Sequence, residues 1–84
     1  MSETTLISAI SIVVAGLTVT VGTIAPALAE GKAVVAALDA IARQPEAAST
    51  TSRTLFVGMA MVESTAIYCL VVALILLFAN PLLP

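Results

Sequence analysis

Apolar residues fill two long stretches of this chain and leave one short polar interval between them. From Leu6 to Ala29 the sequence reads LISAISIVVAGLTVTVGTIAPALA, without a charged side chain. As a helix, 24 residues rising 1.5 Å each would reach about 36 Å, more than the ~30 Å hydrocarbon core of a bilayer. A second apolar stretch, Thr54 to Ala79, holds one charge, Glu63. The interval between them centres on Arg43-Gln44-Pro45-Glu46. Pro45 has no amide donor and disfavours helix at the residue before it, so the turn belongs there. Residues 32–42, rich in Ala, Leu and Val, still read as helix, and Asn80-Pro81 stops the second arm. The pattern predicts an all-α membrane protein, a two-helix transmembrane hairpin forming one domain over residues 1–84. Helix 1 covers about 4–42, the loop 43–47, helix 2 about 48–79 and a tail 80–84. Pro26 falls inside helix 1, where a proline bends the helix or is absorbed by packing.

Composition agrees with a chain built for lipid. Of 84 residues, 61% are hydrophobic and 10% charged, against roughly 25% charged in ordinary soluble domains. A soluble chain this short buries only about 60% of its unfolded surface, too little to hide that much apolar area. The net charge of −2 argues against a nucleic-acid partner, and one cysteine without histidine excludes an internal disulfide and a cysteine–histidine metal site. Lys32, Arg43 and Arg53 lie in or beside the loop, so the positive-inside rule makes the loop cytoplasmic and leaves both termini outside. Ala27-Leu28-Ala29 has the form of a signal-peptidase site. The preceding segment, however, carries Glu3 in place of a basic end and is longer than the usual apolar core, so it reads as a span.

Glu63 is the residue the pattern least accommodates. A charged group in the middle of a membrane helix costs about 2.5–3.5 kcal/mol on insertion scales, and such residues are rare and usually functional. Glu30 lies 13 residues from Arg43 on one arm, and Glu63 lies 15 residues from Ala48 on the other. The two carboxyls therefore fall at nearly one depth, where they can share a proton. Ser64 and Thr65 follow Glu63, and Tyr68 stacks one turn beyond Ser64. Two carboxyls, two hydroxyls and a phenol are hard oxygen ligands, suited to a proton or a small alkali cation rather than a fixed metal.

Ala25, Ala27, Ala29 and Gly31 alternate along helix 1, with Gly22 and Gly16 upstream. A spacing of two puts small residues on both flanks of a helix, which suits one packed between two like neighbours. One carboxyl pair in a lone hairpin also makes no pathway. Both features predict a homo-oligomer closed into a ring. Ser8, Ser11, Thr18, Thr20 and Thr23 read as interhelix bonding, Asp39 and Lys32 as an exposed face, Cys69 as a small buried apolar residue, and Phe56 and Phe78 as ends of the apolar span.

These residues resemble the c subunit, or proteolipid, of rotary F-type ATP synthases along nearly the whole chain: the hairpin, the Ala42-Arg43-Gln44-Pro45-Glu46 string, and the helix 2 carboxyl at Glu63 ahead of an apolar run into Ala79-Asn80-Pro81. The resemblance implies a non-catalytic rotor subunit of a bacterial inner-membrane ATPase, with no cofactor beyond the transported H+ or Na+. Glu63 would bind and release the coupling ion as the ring turns through membrane lipid past the stator a subunit, where an arginine forces release. Arg43, Gln44 and Pro45 would contact the central stalk. Glu63, Ser64, Thr65 and Tyr68 match sodium-translocating members, in which Glu30 occupies the helix 1 ligand position and Met61 offers only its backbone carbonyl. The family's helix 1 glycines are Ala25, Ala27 and Ala29 here, which implies a wider ring and resembles the N-type branch. Two close carboxylates do not readily both ionise, which favours protons over sodium as cargo. The rival from another class is a small pore-forming or structural hairpin, which would need no carboxyl pair at one depth.

Overall fold

The computed structural model describes residues 2–83. It is a rod of 64 × 16 × 10 Å made of two antiparallel arms. The first arm contains α1 (Glu3–Gly22) and α2 (Ile24–Arg43); the second is a single helix, α3 (Ala48–Phe78). Ser2 caps α1, its hydroxyl oxygen accepting the Thr5 amide at 3.1 Å. At the other end of the rod a 3₁₀ turn, Pro45–Ala47, follows Gln44, whose extended backbone (φ −134°, ψ 78°) ends α2. Proline is well placed there, since the first amides of a helix have no partner to lose. Both arms are long and apolar enough to cross a membrane.

The first arm is one apolar span, Glu3–Arg43, close to the helix that the sequence pattern predicts over 4–42, with its hydrogen-bond ladder interrupted at a single residue. The interruption is at Thr23, and Pro26 is the cause. Without an N–H, Pro26 gives nothing to the carbonyl of Gly22, and its ring crowds that carbonyl. The ladder ends on the Thr23 amide bonded to Val19 O at 3.2 Å and restarts with the Ala27 amide on Thr23 O at 3.1 Å. The Thr23 hydroxyl also donates to Val19 O at 2.7 Å. Thr18 bonds back in the same way, to Val14 O at 2.7 Å. Of the hydroxyls expected to join the helices, Ser11 alone does so among the described residues.

Two contacts set the register of the arms. Near the termini Asn80 Nδ2 donates to Ser11 Oγ at 2.7 Å, while Asn80 Oδ1 accepts the Leu82 amide at 2.9 Å and pins the tail turn. Farther in, Gly22 meets Cys69 so closely that a Cβ on Gly22 would fall 2.6 Å from the Cys69 sulfur. Cys69 is half-buried, and this fit is its role. Ser11 to Gly22 and Cys69 to Asn80 are both steps of eleven residues, as two antiparallel helices of equal rise require. Ser11, Ala15 and Ala73 are buried in this terminal half, whereas Ala37 is the one buried residue described in the loop half. Large apolar side chains on every other face remain exposed, as expected of a protomer that completes its packing with lipid and with neighbours. Phe56 and Phe78, among the most exposed, are 22 residues apart on α3, about 33 Å, close to a bilayer core.

Candidate functional site

The register brings Glu30 and Glu63 together with a small and useful offset. Glu30 lies eight residues beyond Gly22 on α2, but Glu63 lies only six residues before Cys69 on α3. Glu63 therefore starts about 3 Å nearer the termini. Side chains lean toward the N-terminus of their own helix. In antiparallel arms that lean carries Glu30 toward the termini and Glu63 toward the loop, so the carboxyls converge and interact directly. Glu30 Oε1 is enclosed and has no hydrogen-bond donor among the described residues. Two carboxylates offer only acceptors to each other.

The oxygen-bearing neighbours are arranged on α3 alone. The Ser64 hydroxyl donates to Ala60 O at 3.0 Å and the Thr65 hydroxyl to Val62 O at 2.6 Å. Each spends its hydrogen on its own helix and keeps oxygen lone pairs free, the state in which a hydroxyl can accept from an acid or face a cation. Tyr68 is 67% exposed and Met61 70%, both on the outer surface of the hairpin. Glu63 and Thr65 are exposed as well. Met61, Ser64, Thr65 and Tyr68 thus share with Glu63 a short stretch of α3, and none of them makes a side-chain hydrogen bond to it among the described residues.

The loop residues are separate from this centre. Arg43, Gln44 and Pro45 are exposed at the tip of the rod. Arg43 Nε pairs with Asp39 Oδ2 at 3.3 Å, one turn back on α2, an exposed pair that orients the guanidinium more than it stabilises the fold. Ala25, Ala27, Ala29 and Gly31 are all exposed on the first arm, none of them covered by α3. A Cβ on Gly31 would meet nothing within 4 Å, in contrast to Gly22, so no contact within the protomer requires glycine there.

Sequence reasoning expected Ser11 to bond between helices but did not identify Asn80 as its partner, and it did not find the Gly22–Cys69 fit. Each is a pairing between residues unremarkable on their own, and only the register reveals it. A polar residue in each apolar arm, Ser11 and Asn80, was the available signal.

Residues 13–76 match the family model described as the ATP synthase C subunit. The chain is 68% identical over 71 residues to ATP synthase c subunit 2 of Cereibacter sphaeroides, covering 84% of this chain and 86% of that protein. It is 54% identical over 74 residues to the ATP synthase c subunit of Prochlorococcus marinus, covering 88% and 91%. Over 67 residues it is 49% identical to ATP synthase c subunit 1 of Pelobacter propionicus, covering 80% and 74%. The chain belongs to the ATP synthase C-subunit family: it is a membrane hairpin that serves as a rotor component and assembles in a ring with other subunits of the synthase.

Proposed function

We propose that this rotor protein carries protons, loading and releasing them at Glu63 with Glu30 as its partner, and that it has no catalytic step of its own. The observation that carries this reading is the carboxyl pair, in which Glu30 Oε1 is enclosed beside Glu63 with no donor. One proton bridging two carboxyls satisfies that oxygen; a second makes the site neutral and fit to travel through lipid. In the cycle, a proton enters from one half-channel of the stator a subunit and neutralises Glu63. The ring turns, and an arginine of the stator drives release at the other half-channel. Arg43, Gln44 and Pro45, exposed at the tip, contact the central stalk. The loop faces the cytoplasm of a bacterial cell and both termini face outward, following Lys32, Arg43 and Arg53. The Ala25, Ala27 and Ala29 flanks pack against identical subunits, and their methyl groups favour a wide ring of the N-type branch.

A second cargo has its own support. The free lone pairs of Ser64 and Thr65 beside Glu63 are suited to a sodium ion, which would replace the second proton and leave one carboxyl protonated. Carbodiimide labelling tests the choice, because the reagent consumes a protonated carboxyl. Glu63 is expected to label as pH falls, with no protection by sodium. Protection by millimolar sodium at fixed pH overturns the proton assignment. Loss of coupled ATP-driven transport in Glu63→Gln, with the ring intact, separates a rotor from a pore-forming or structural hairpin.

A further inference from the structure

Of the three cationic side chains, Lys32 is the one placed inside the apolar span without an acidic partner. Arg43 is held by Asp39 at the tip. In the register set by Gly22 against Cys69, Val35 and Phe56 each lie thirteen residues nearer the loop, so they stand level. Arg53 is three residues on the loop side of Phe56 and so lies beyond the span marked by Phe56 and Phe78. Lys32 is three residues on the terminal side of Val35, about 4.5 Å inside that span. Glu30, two residues away, is turned about 200° round the helix toward α3, where its Oε1 is enclosed. Lys32 makes no ion pair among the described residues. It stands in a groove of about 680 Å³ on the back of the first arm, whose lining comes from α2 alone and includes Leu28, Gly31, Val35 and Asp39. Leu28 is 62% exposed and Val35 69%. Toward the termini the same face continues through Ile24, Val21 and Leu17, all exposed, at steps of four, three and four residues.

The geometry points to a phospholipid site on the back of the first arm: Lys32 holds the phosphate of an anionic lipid, and an acyl chain lies along Leu28, Ile24, Val21 and Leu17. A lysine stem just inside the hydrocarbon reaches back to the headgroup level, and its ammonium donates charge-assisted hydrogen bonds to phosphate oxygens. Each other occupant fails on one feature. Water meets the ammonium but not the apolar stripe beneath it. A second helix wants small residues at its contact, and these sit to the sides, at Ala25, Ala27 and Ala29, while the back carries branched side chains and a charge. A zwitterionic lipid suits the stripe but brings its own cation beside Lys32. Asp39 does not cancel that charge, because Arg43 already pairs with it. The site lies across the first arm from Glu63 and is independent of which ion the rotor carries. One lipid per subunit then covers the face that neither α3 nor the flanking copies cover.

The test uses the assembled ring in vesicles containing a trace of phosphatidylglycerol with a diazirine on its acyl chain, compared with the phosphatidylcholine analogue. After illumination, peptides covering residues 17–35 are expected to carry about five-fold more of the phosphatidylglycerol adduct, the preference that one lysine near an anionic headgroup supplies. Lys32→Gln should bring that ratio close to one, Lys32→Arg should keep it, and Arg53→Gln should leave it unchanged in this segment. Carbodiimide labelling of Glu63 and the mobility of the ring on a gel should be the same in all three variants, which separates loss of the lipid from loss of the assembly. Equal adducts from the two lipids in the unaltered ring overturn the proposal, and so does a ratio that survives Lys32→Gln. Val35→Cys in a Cys69→Ala background checks the other occupant. It should stay monomeric on oxidation, whereas a disulfide between subunits overturns the lipid site and gives this face to a neighbouring copy.

Discussion

On the terminal side of Glu30 and Glu63 two specific contacts tie the arms together, and on the loop side the arms flank a largely apolar groove. The terminal half is joined by a glycine–cysteine fit, by buried Ala15 and Ala73, and by a hydrogen bond between Ser11 and Asn80. The loop half holds a groove lined mainly by apolar side chains, among them Ala33, Ala36, Leu55, Met59 and Val62, with buried Ala37 in its wall and the 3₁₀ turn tying its end. Small residues occur in both halves, so size alone does not decide closeness. Gly22 is small because Cys69 needs its space, whereas a Cβ on Gly58 would meet nothing within 4 Å. The lesson is that a small residue in a hairpin can be demanded by a neighbour at one position and free of any such demand at another.

The largest effect expected is at the boundary between the halves. Glu63→Gln should abolish coupled ion transport while the ring still assembles, measured by ATP-driven pumping alongside ring mobility on a gel. Removing the other carboxyl is milder. Glu30→Gln should leave Glu63 reactive towards carbodiimide but alter the pH dependence of that labelling, since the neighbouring acid is gone. An unmoved midpoint means the carboxyls act independently.

Breaking the tight half is a matter of stability. Gly22→Val puts side-chain carbons where the Cys69 sulfur lies, and overpacking of this kind costs about 1–3 kcal/mol. Thermal dissociation of the detergent-solubilised ring should fall accordingly, and Cys69→Gly should restore part of it. If Gly58→Val, in the loop half, destabilises as much as Gly22→Val, the contrast between the halves is wrong. Asn80→Leu should cost less, near the ~0.6 kcal/mol average for interhelical hydrogen bonds in membranes. The double variant Ser11→Ala/Asn80→Leu should be no worse than the sum of the singles. Smallest of all, Asp39→Ala frees Arg43 from an exposed pair and should leave the dissociation temperature unchanged within error.

Much of the site was legible before any tertiary contact was known. A carboxylate in an apolar run stands out by its insertion cost, and counting outward from Arg43 and Ala48 brings Glu30 to nearly its depth. The turn was legible for the same reason, because Pro45 leaves few alternatives. The break at Thr23 was only half legible: Pro26 admits a bend or absorption by packing, and its neighbours decide between them. Hydroxyls were hardest to read. Thr18 and Thr23 bond back to their own helix while Ser11 crosses to Asn80, and nothing local to these residues distinguishes them.

Hydrophobic length, proline positions and the isolated carboxylate are properties of the chain in one dimension. They determine that it spans a membrane twice, turns at Gln44-Pro45 and carries an ionisable group where lipid penalises one. The register of one arm against the other is a different kind of quantity. It arises from contacts between residues as far as 69 positions apart, Ser11 with Asn80 and Gly22 with Cys69. That register, together with the opposed lean of side chains on antiparallel helices, turns two carboxylates at similar depth into one site.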